Sequence, residues 1–434
     1  MTAEHPRSDD RTAGPEQHAP ARRGGVSRRD LLGASAVGLS GVTVGVVAGR
    51  ASATEPGPAP APAPEQESAV VPFHGARQAG ITTVPQDHLT LVALDLSEGV
   101  DRGALVRMMR ILTDDISRLT AGEPALTDTE PELALSPAHL TVTVGVGPGF
   151  FDAADLADRR PAWLRPLPAF TVDELEDRWS GGDVVLQICA DDPITTAHAA
   201  RILSREVRTF ASVRWTQRGF RRREQAPEQA AEVGGGSVRN LMGQVDGTRN
   251  LVMPGDDALV WIGAQSQEWF GPAPAWAVDG SAMVVRRIRM ELDTWDEVDR
   301  PARESTIGRR LDNGAPLTGE QEHDEPDLTA VTELGFPVIE TFAHIRRARS
   351  DDGRQRFLRR PYNFDEAPEP GRTSNSGLVF ITFQTDVDAQ FLPIQRRLDE
   401  LDLLNQWTTP IGSAVFAVLP GCTPRSYLGA SLLA

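Results

Sequence analysis

Hydrophobic positions first become regular at residues 88–96, HLTLVALDL, where apolar and strand-forming residues alternate as a β-strand requires. The period then changes. Over 102–120, Leu105, Met108, Met109, Ile111, Leu112, Ile116 and Leu119 recur at helical spacing, and Asp101 stands where an N-cap belongs. Strands are predicted at 140–146 (ended by Gly147-Pro148-Gly149) and at 184–190, a helix opened by proline at 193–210, and a strand at 211–216. The order β-α-β-β-α-β is the ferredoxin-like pattern. The second half repeats it. A strand at 281–292 precedes a short helix opened by Thr294, a strand at 377–385, a helix at 388–404 with Phe391, Leu392, Ile394, Leu398, Leu401 and Leu404 on its apolar side, and a closing strand at 413–419. The expected fold class is α+β, with tandem ferredoxin-like domains and antiparallel sheets. The hinge is expected near 224–236, a polar stretch rich in Ala and Gly. Residues 306–372 carry little periodicity, and long irregular segments inside compact domains are usually functional.

The first seventy residues do not read as fold. Residues 27–32, SRRDLL, precede a weakly apolar stretch, 31–48, which ends at Arg50 and the small-residue site 51–53. A charged head, an apolar run and an A-x-A-like site make a cleavable signal, and the paired arginines resemble the twin-arginine export signal. The run is short and glycine-rich, which disfavours stable membrane spanning. Residues 56–64 alternate Pro and Ala, the composition of an extended linker. The division expected is a leader at 1–53, a linker at 54–69, one domain at 70–230 and a second at 231–434. The protein is expected outside the cytoplasm, meeting a membrane only during passage through the twin-arginine machinery.

Charge narrows the partners. The net charge of −17 argues against nucleic acid and anionic membrane. All 44 basic residues are arginine, so an arginine needs a motif before it is given a role. Cys189 and Cys422 both lie in apolar runs and read as small buried residues rather than a disulfide framework. No paired-histidine spacing points to zinc.

Three constellations carry candidate chemistry: Gly243–Asn250 (GQVDGTRN) with Asp246, 342–347 (FAHIRR) with His344, and 359–364 (RRPYNF) with two arginines. An aspartate between glycines is most often a turn residue, a lone histidine is usually a satisfied group, and paired arginines are common in this chain. In this order, in a duplicated ferredoxin-like fold behind a twin-arginine signal, they resemble the dye-decolourising peroxidase family. Segments 71–81, 240–248, 279–292, 308–317, 377–384 and 416–421 also look like that family's, so the resemblance runs from about residue 70 to 425. Its exported branch, which includes deferrochelatase/peroxidases, looks nearest.

The resemblance implies haem b (iron protoporphyrin IX) held in the C-terminal half, with His344 as axial ligand to the iron. It implies Asp246 as distal acid/base and Arg359, in preference to Arg360, as distal arginine, although Pro361 departs from the family's pattern. It places Gly247 and Thr248 at the cofactor, gives Asp386 as the acceptor from His344, and makes Arg309 a partner of a haem propionate. Hydrogen peroxide and small one-electron donors such as dyes and phenolics would be the substrates. A haem-handling role in iron acquisition, a redox partnership in copper trafficking, and homo-oligomer formation stay open at this level.

Overall fold

Strand β1 (His88–Leu96) is buried along most of its length, because its two faces meet two different cores. Val92 and Leu94 pack against the helices, with Leu105, Met108, Met109 and Leu112. Leu89, Leu91 and Ala93 point the other way, into a second core shared with Met283, Phe383 and Phe416. A strand covered on both faces needs apolar residues on both, which is why alternation in this chain is often weak. The computed structural model describes residues 69–222, 238–368 and 370–434. The expected leader, nearly all of the linker and the expected hinge lie outside the described residues. No helix among the described residues is long and apolar enough to cross a membrane.

In the first half, β1 is followed by the helix Arg102–Thr120, β2 (Thr141–Val146), β3 (Val184–Ala190), the helix Pro193–Val207 and β4 (Ala211–Phe220). The strands pair antiparallel in the order β2-β3-β1-β4, the ferredoxin-like arrangement. Asp101 caps the first helix by accepting from the Ala104 N–H at 2.7 Å. Asp192 caps the second, where Pro193 takes a position whose N–H would have no partner.

The ribbon β5 (Val238–Arg239) and β6 (Val245–Asp246) opens the second half. Then come β7 (Ser281–Met290), the helices Leu292–Trp295 and Arg300–Ile307, β8 (Leu358–Arg359), β9 (Tyr362–Asp365), β10 (Ser376–Gln384), the helix Leu392–Leu401 and β11 (Thr408–Val418). The main order is β11-β7-β10-β9, again ferredoxin-like. Strands β8 and β9 lie along the same side of β10 as two pieces of one interrupted strand. Arg360 still donates its N–H to Ile381, but Pro361 has none to give, and the ladder breaks there. The half-sheets join edge to edge through β11–β2 and β4–β9, so the strands form one closed ring around the inner core.

The sequence expectations miss in two places. Residues 388–404 are not one helix: a π-turn at Val387–Phe391 leads into Leu392–Leu401, Asp402 is extended (φ −75°, ψ 115°), and a short 3-10 turn follows at Leu403–Gln406. Strand β9, which joins β4 to β10, lies within the segment whose periodicity predicted nothing. Cys189 and Cys422 are buried and unpaired, as expected.

Candidate active site

A cavity of about 450 Å³ lies between β6 with its following loop on one side and the helix His344–Arg347 on the other. It gathers Asp246, Gly247, Thr248, Arg309, His344 and Arg359, drawn from segments more than a hundred residues apart. Met242, Ile307, Ile345, Phe357, Ile394 and Leu404 supply apolar wall.

His344 opens its helix after Ala343. Its Nδ1–H donates to Asp402 Oδ2 at 2.6 Å, and that carboxylate is only 3% exposed. A carboxylate can only accept, so the shared proton sits on Nδ1 and leaves Nε2 as the lone-pair nitrogen. Burial alone would lower the imidazole pKa; the charge and hydrogen bond of Asp402 outweigh burial, Asp246 adds to them, and the pKa is raised. Asp402 is in place because the helix stops at Leu401. The extended residue swings its side chain back, and the Leu403 N–H donates to Phe342 O, tying this break to the histidine's own segment.

Asp386 does not fill that role, which corrects the sequence expectation. It caps the π-turn, accepting from the Ala389 N–H at 2.8 Å, and lines a separate cavity with Arg160, Trp163 and Phe270. Its position is fixed by the end of β10, whereas the residue that reaches His344 must come from beyond the next helix.

In the same cavity, Arg359 Nη1 lies 3.7 Å from Asp246 Oδ1, with both side chains partly buried. The guanidinium is anchored by Nη2 donating to Thr248 O at 2.6 Å. Asn250 holds the same residue by its backbone, Oδ1 accepting from the Arg359 N–H at 2.9 Å and Nδ2 donating to Arg359 O at 2.7 Å. This two-way clamp was not anticipated from sequence, although Asn250 sits in the motif that drew attention to Asp246. Arg360 faces elsewhere, donating to Thr83 O at 2.6 Å and to Gln86. The break at Pro361 therefore separates one arginine at the cavity from one in the body of the protein.

Gly247 has φ +101°, a conformation that favours glycine and turns the chain directly after Asp246. Thr248 donates its hydroxyl to Glu322 at 2.7 Å. Arg309 is buried and donates Nη1 to Gly314 O at 2.6 Å and to Glu322 O at 2.9 Å. Burial pulls its pKa down, against Glu322, and the nearby Arg359, Arg349 and Arg249 add to the fall.

The sequence matches the family model "Dyp-type peroxidase, N-terminal" over residues 78–221 and "Dyp-type peroxidase, C-terminal" over 237–423. It is 37% identical to the dye-decolorizing peroxidase of Thermobifida fusca (strain YX) over 95% of this chain and 98% of the relative. The chain belongs to the Dyp-type peroxidase family. It is also 35% identical to a deferrochelatase of Yersinia pseudotuberculosis, over 83% of this chain and 84% of that one. The crystal structure of a DyP-type peroxidase from Cellulomonas bogoriensis superimposes with TM-score 0.79 at 57% identity, covering 84% of this chain and 98% of that structure. As a member of the family, this protein is a haem peroxidase.

The residues present fit that cofactor. The cavity has a volume within the range of ligand pockets, roughly 300–1,000 Å³. His344 offers one ring nitrogen to it while a carboxylate orients the other, the usual arrangement of a metal-ligating histidine. Arginines at its edge suit the two carboxylates of a haem.

Proposed function

We propose that this protein is a haem b peroxidase that reduces hydrogen peroxide and takes electrons one at a time from a broad range of small donors, dyes and phenolics among them. The observation that supports the reading is that Asp246 and Arg359 lie side by side in the cavity that His344 also lines. Bound haem supplies the redox chemistry, and the chain supplies orientation and charge. His344 would hold the haem iron in this reading, and Asp402 would lend its imidazole anionic character. Asp246, partly buried and beside a fixed cation, would take the proton of the peroxide oxygen nearer the cofactor at a carboxylate oxygen and pass it to the far oxygen, which would leave as water. The anchor of Arg359 on Thr248 O holds its guanidinium for the negative charge that develops as the O–O bond breaks. Arg309 is assigned to a haem propionate, with Gly247 and Thr248 against the cofactor.

The test is a spectrum followed by kinetics. Purified protein should show a Soret band, and Asp246→Asn should retain the band while losing peroxide-dependent dye oxidation. A protein without a Soret band, or an Asp246→Asn variant of full activity, would sink the reading.

The similarity to a deferrochelatase favours a second reading, in which the same cavity releases iron from haem. Metal-free protoporphyrin accumulating from the loaded protein would support it. We also propose export through the twin-arginine route, on the strength of Arg28 and Arg29 ahead of a weakly apolar run. Replacing both with lysine should leave the protein in the cytoplasmic fraction; unchanged export would overturn this.

A further inference from the structure

Among the described residues, five arginines line the cavity, Arg249, Arg309, Arg349, Arg356 and Arg359, against two carboxylates, those of Asp246 and Glu325. Asp246 is engaged with Arg359 and Arg356 with Asp256. Glu325 divides itself between the other rim arginines: one carboxylate oxygen pairs with Arg249 and the second with Arg349. Arg249 belongs to the loop that carries Asp246, and Arg349 follows the helix that carries His344, so a single side chain ties together the two segments that bring Asp246 and His344 to the cavity.

Two guanidinium groups converging on one carboxylate form a cradle for any carboxylate. The present occupant is held loosely, since Glu325 is 59% exposed and Arg249 50%. Exposed pairs of this kind are worth only about 0–1 kcal/mol each. The occupant is also tethered. Glu322, in the same acidic segment, accepts from Thr248 Oγ1 at 2.7 Å, so Glu325 stays close if it lets go.

We propose that Arg249 and Arg349 form a carboxylate-binding cradle in which Glu325 is a stand-in ligand, displaced by a carboxylate of haem as it enters and returning as it leaves. The exchange rests on haem being the group that the cavity takes. Glu325 thereby competes with the cofactor for its own anchoring site and speeds cofactor release.

The test follows haem passing from the holoenzyme to an excess of apomyoglobin, read from the absorbance of the acceptor and not from turnover. Glu325→Gln removes the competitor's charge at an exposed site, so release should slow by about tenfold, the equivalent of two such pairs. Arg349→Gln should accelerate release. The same measurement on protein loaded with haem dimethyl ester, which has no free carboxylate, should give equal rates for wild type and Glu325→Gln. An unchanged or faster release from Glu325→Gln, or the same slowing with the diester, would overturn the cradle. Loss of the Soret band in the starting holoenzyme would instead count against the haem reading itself.

Discussion

His344 donates its Nδ1 proton to Asp402 across 2.6 Å, to a carboxylate almost closed off from water. Among the described residues, its other oxygen accepts only from the Leu404 N–H, at 3.0 Å, which leaves Oδ2 to the imidazole. The charge of Asp402 is therefore directed at the ring. Asp402→Asn preserves shape and removes that charge. The ferric–ferrous potential should rise and peroxidase kcat/KM should fall by about 10–100-fold, the usual size of such an effect. Asp386→Asn, at the residue first suggested by sequence, should stay within about twofold, because asparagine caps a helical turn as well as aspartate does. Potentiometric titration of both variants checks the pair.

Asp246 and Arg359 should fail differently. Asp246→Asn removes the proton acceptor, and kcat/KM for peroxide should drop by about 10²–10⁴-fold. Arg359→Lys keeps a positive charge but loses the planar group that reaches both Asp246 and Thr248 O. Its rate should fall too, by more than a change of charge would explain. Steady-state assays over a range of peroxide concentrations separate the two, and a fully active lysine variant would remove Arg359 from the mechanism.

The two halves of the fold were legible because their strands and long helices carry their own period. The first helix shows its apolar side from Leu105 to Leu119, and Asp101 marks its start. The site was legible in parts: Asp246, His344 and Arg359 each sit in a short motif. Asp402 was hidden for a physical reason. The apolar spacing of Leu398, Leu401 and Leu404 runs straight through it, and the break at Leu401 is set by tertiary contacts, among them Leu403 N–H to Phe342 O. Strand β9 was hidden because Pro361 and flanking polar residues mask a pairing that only β10 reveals.

Asp115 offers a test of pH-dependent stability away from the cavity. It lies in the first helix, 5% exposed. Burial first, then Glu206 and Asp114, raise its pKa to about 6 from an ordinary 3.8, against Arg118 and Arg205. The folded state thus holds a proton that the unfolded state has released over about pH 4–6, and this group's contribution to stability falls as pH rises through that window. At pH 7 the ionised carboxylate costs at most about 3 kcal/mol. Asp115→Asn should raise Tm at pH 7.5 and give little or no gain at pH 4. Thermal melts of both proteins across that range check the sign; a gain confined to acid pH would contradict it.

Asn250 tests whether the distal arginine needs its backbone held. Its side chain bonds Arg359 in both directions, donor to carbonyl and acceptor from N–H. Asn250→Ala removes both bonds and leaves the guanidinium anchored only through Thr248 O and the longer contact with Asp246. Stability should fall by about 1–3 kcal/mol, the cost of buried polar groups left unmade. Catalysis should suffer separately, since a displacement of about 1 Å at a charged group can cost about 10²-fold. Asn250→Asp distinguishes the two bonds. It keeps the acceptor for the Arg359 N–H but sets a carboxylate against the Arg359 carbonyl, so half the clamp turns repulsive. If the clamp positions Arg359, peroxide kcat/KM should fall in both variants while dye KM holds, and Arg359→Lys should add little to either loss. Equal, additive losses would mean that Asn250 serves only the fold of its loop.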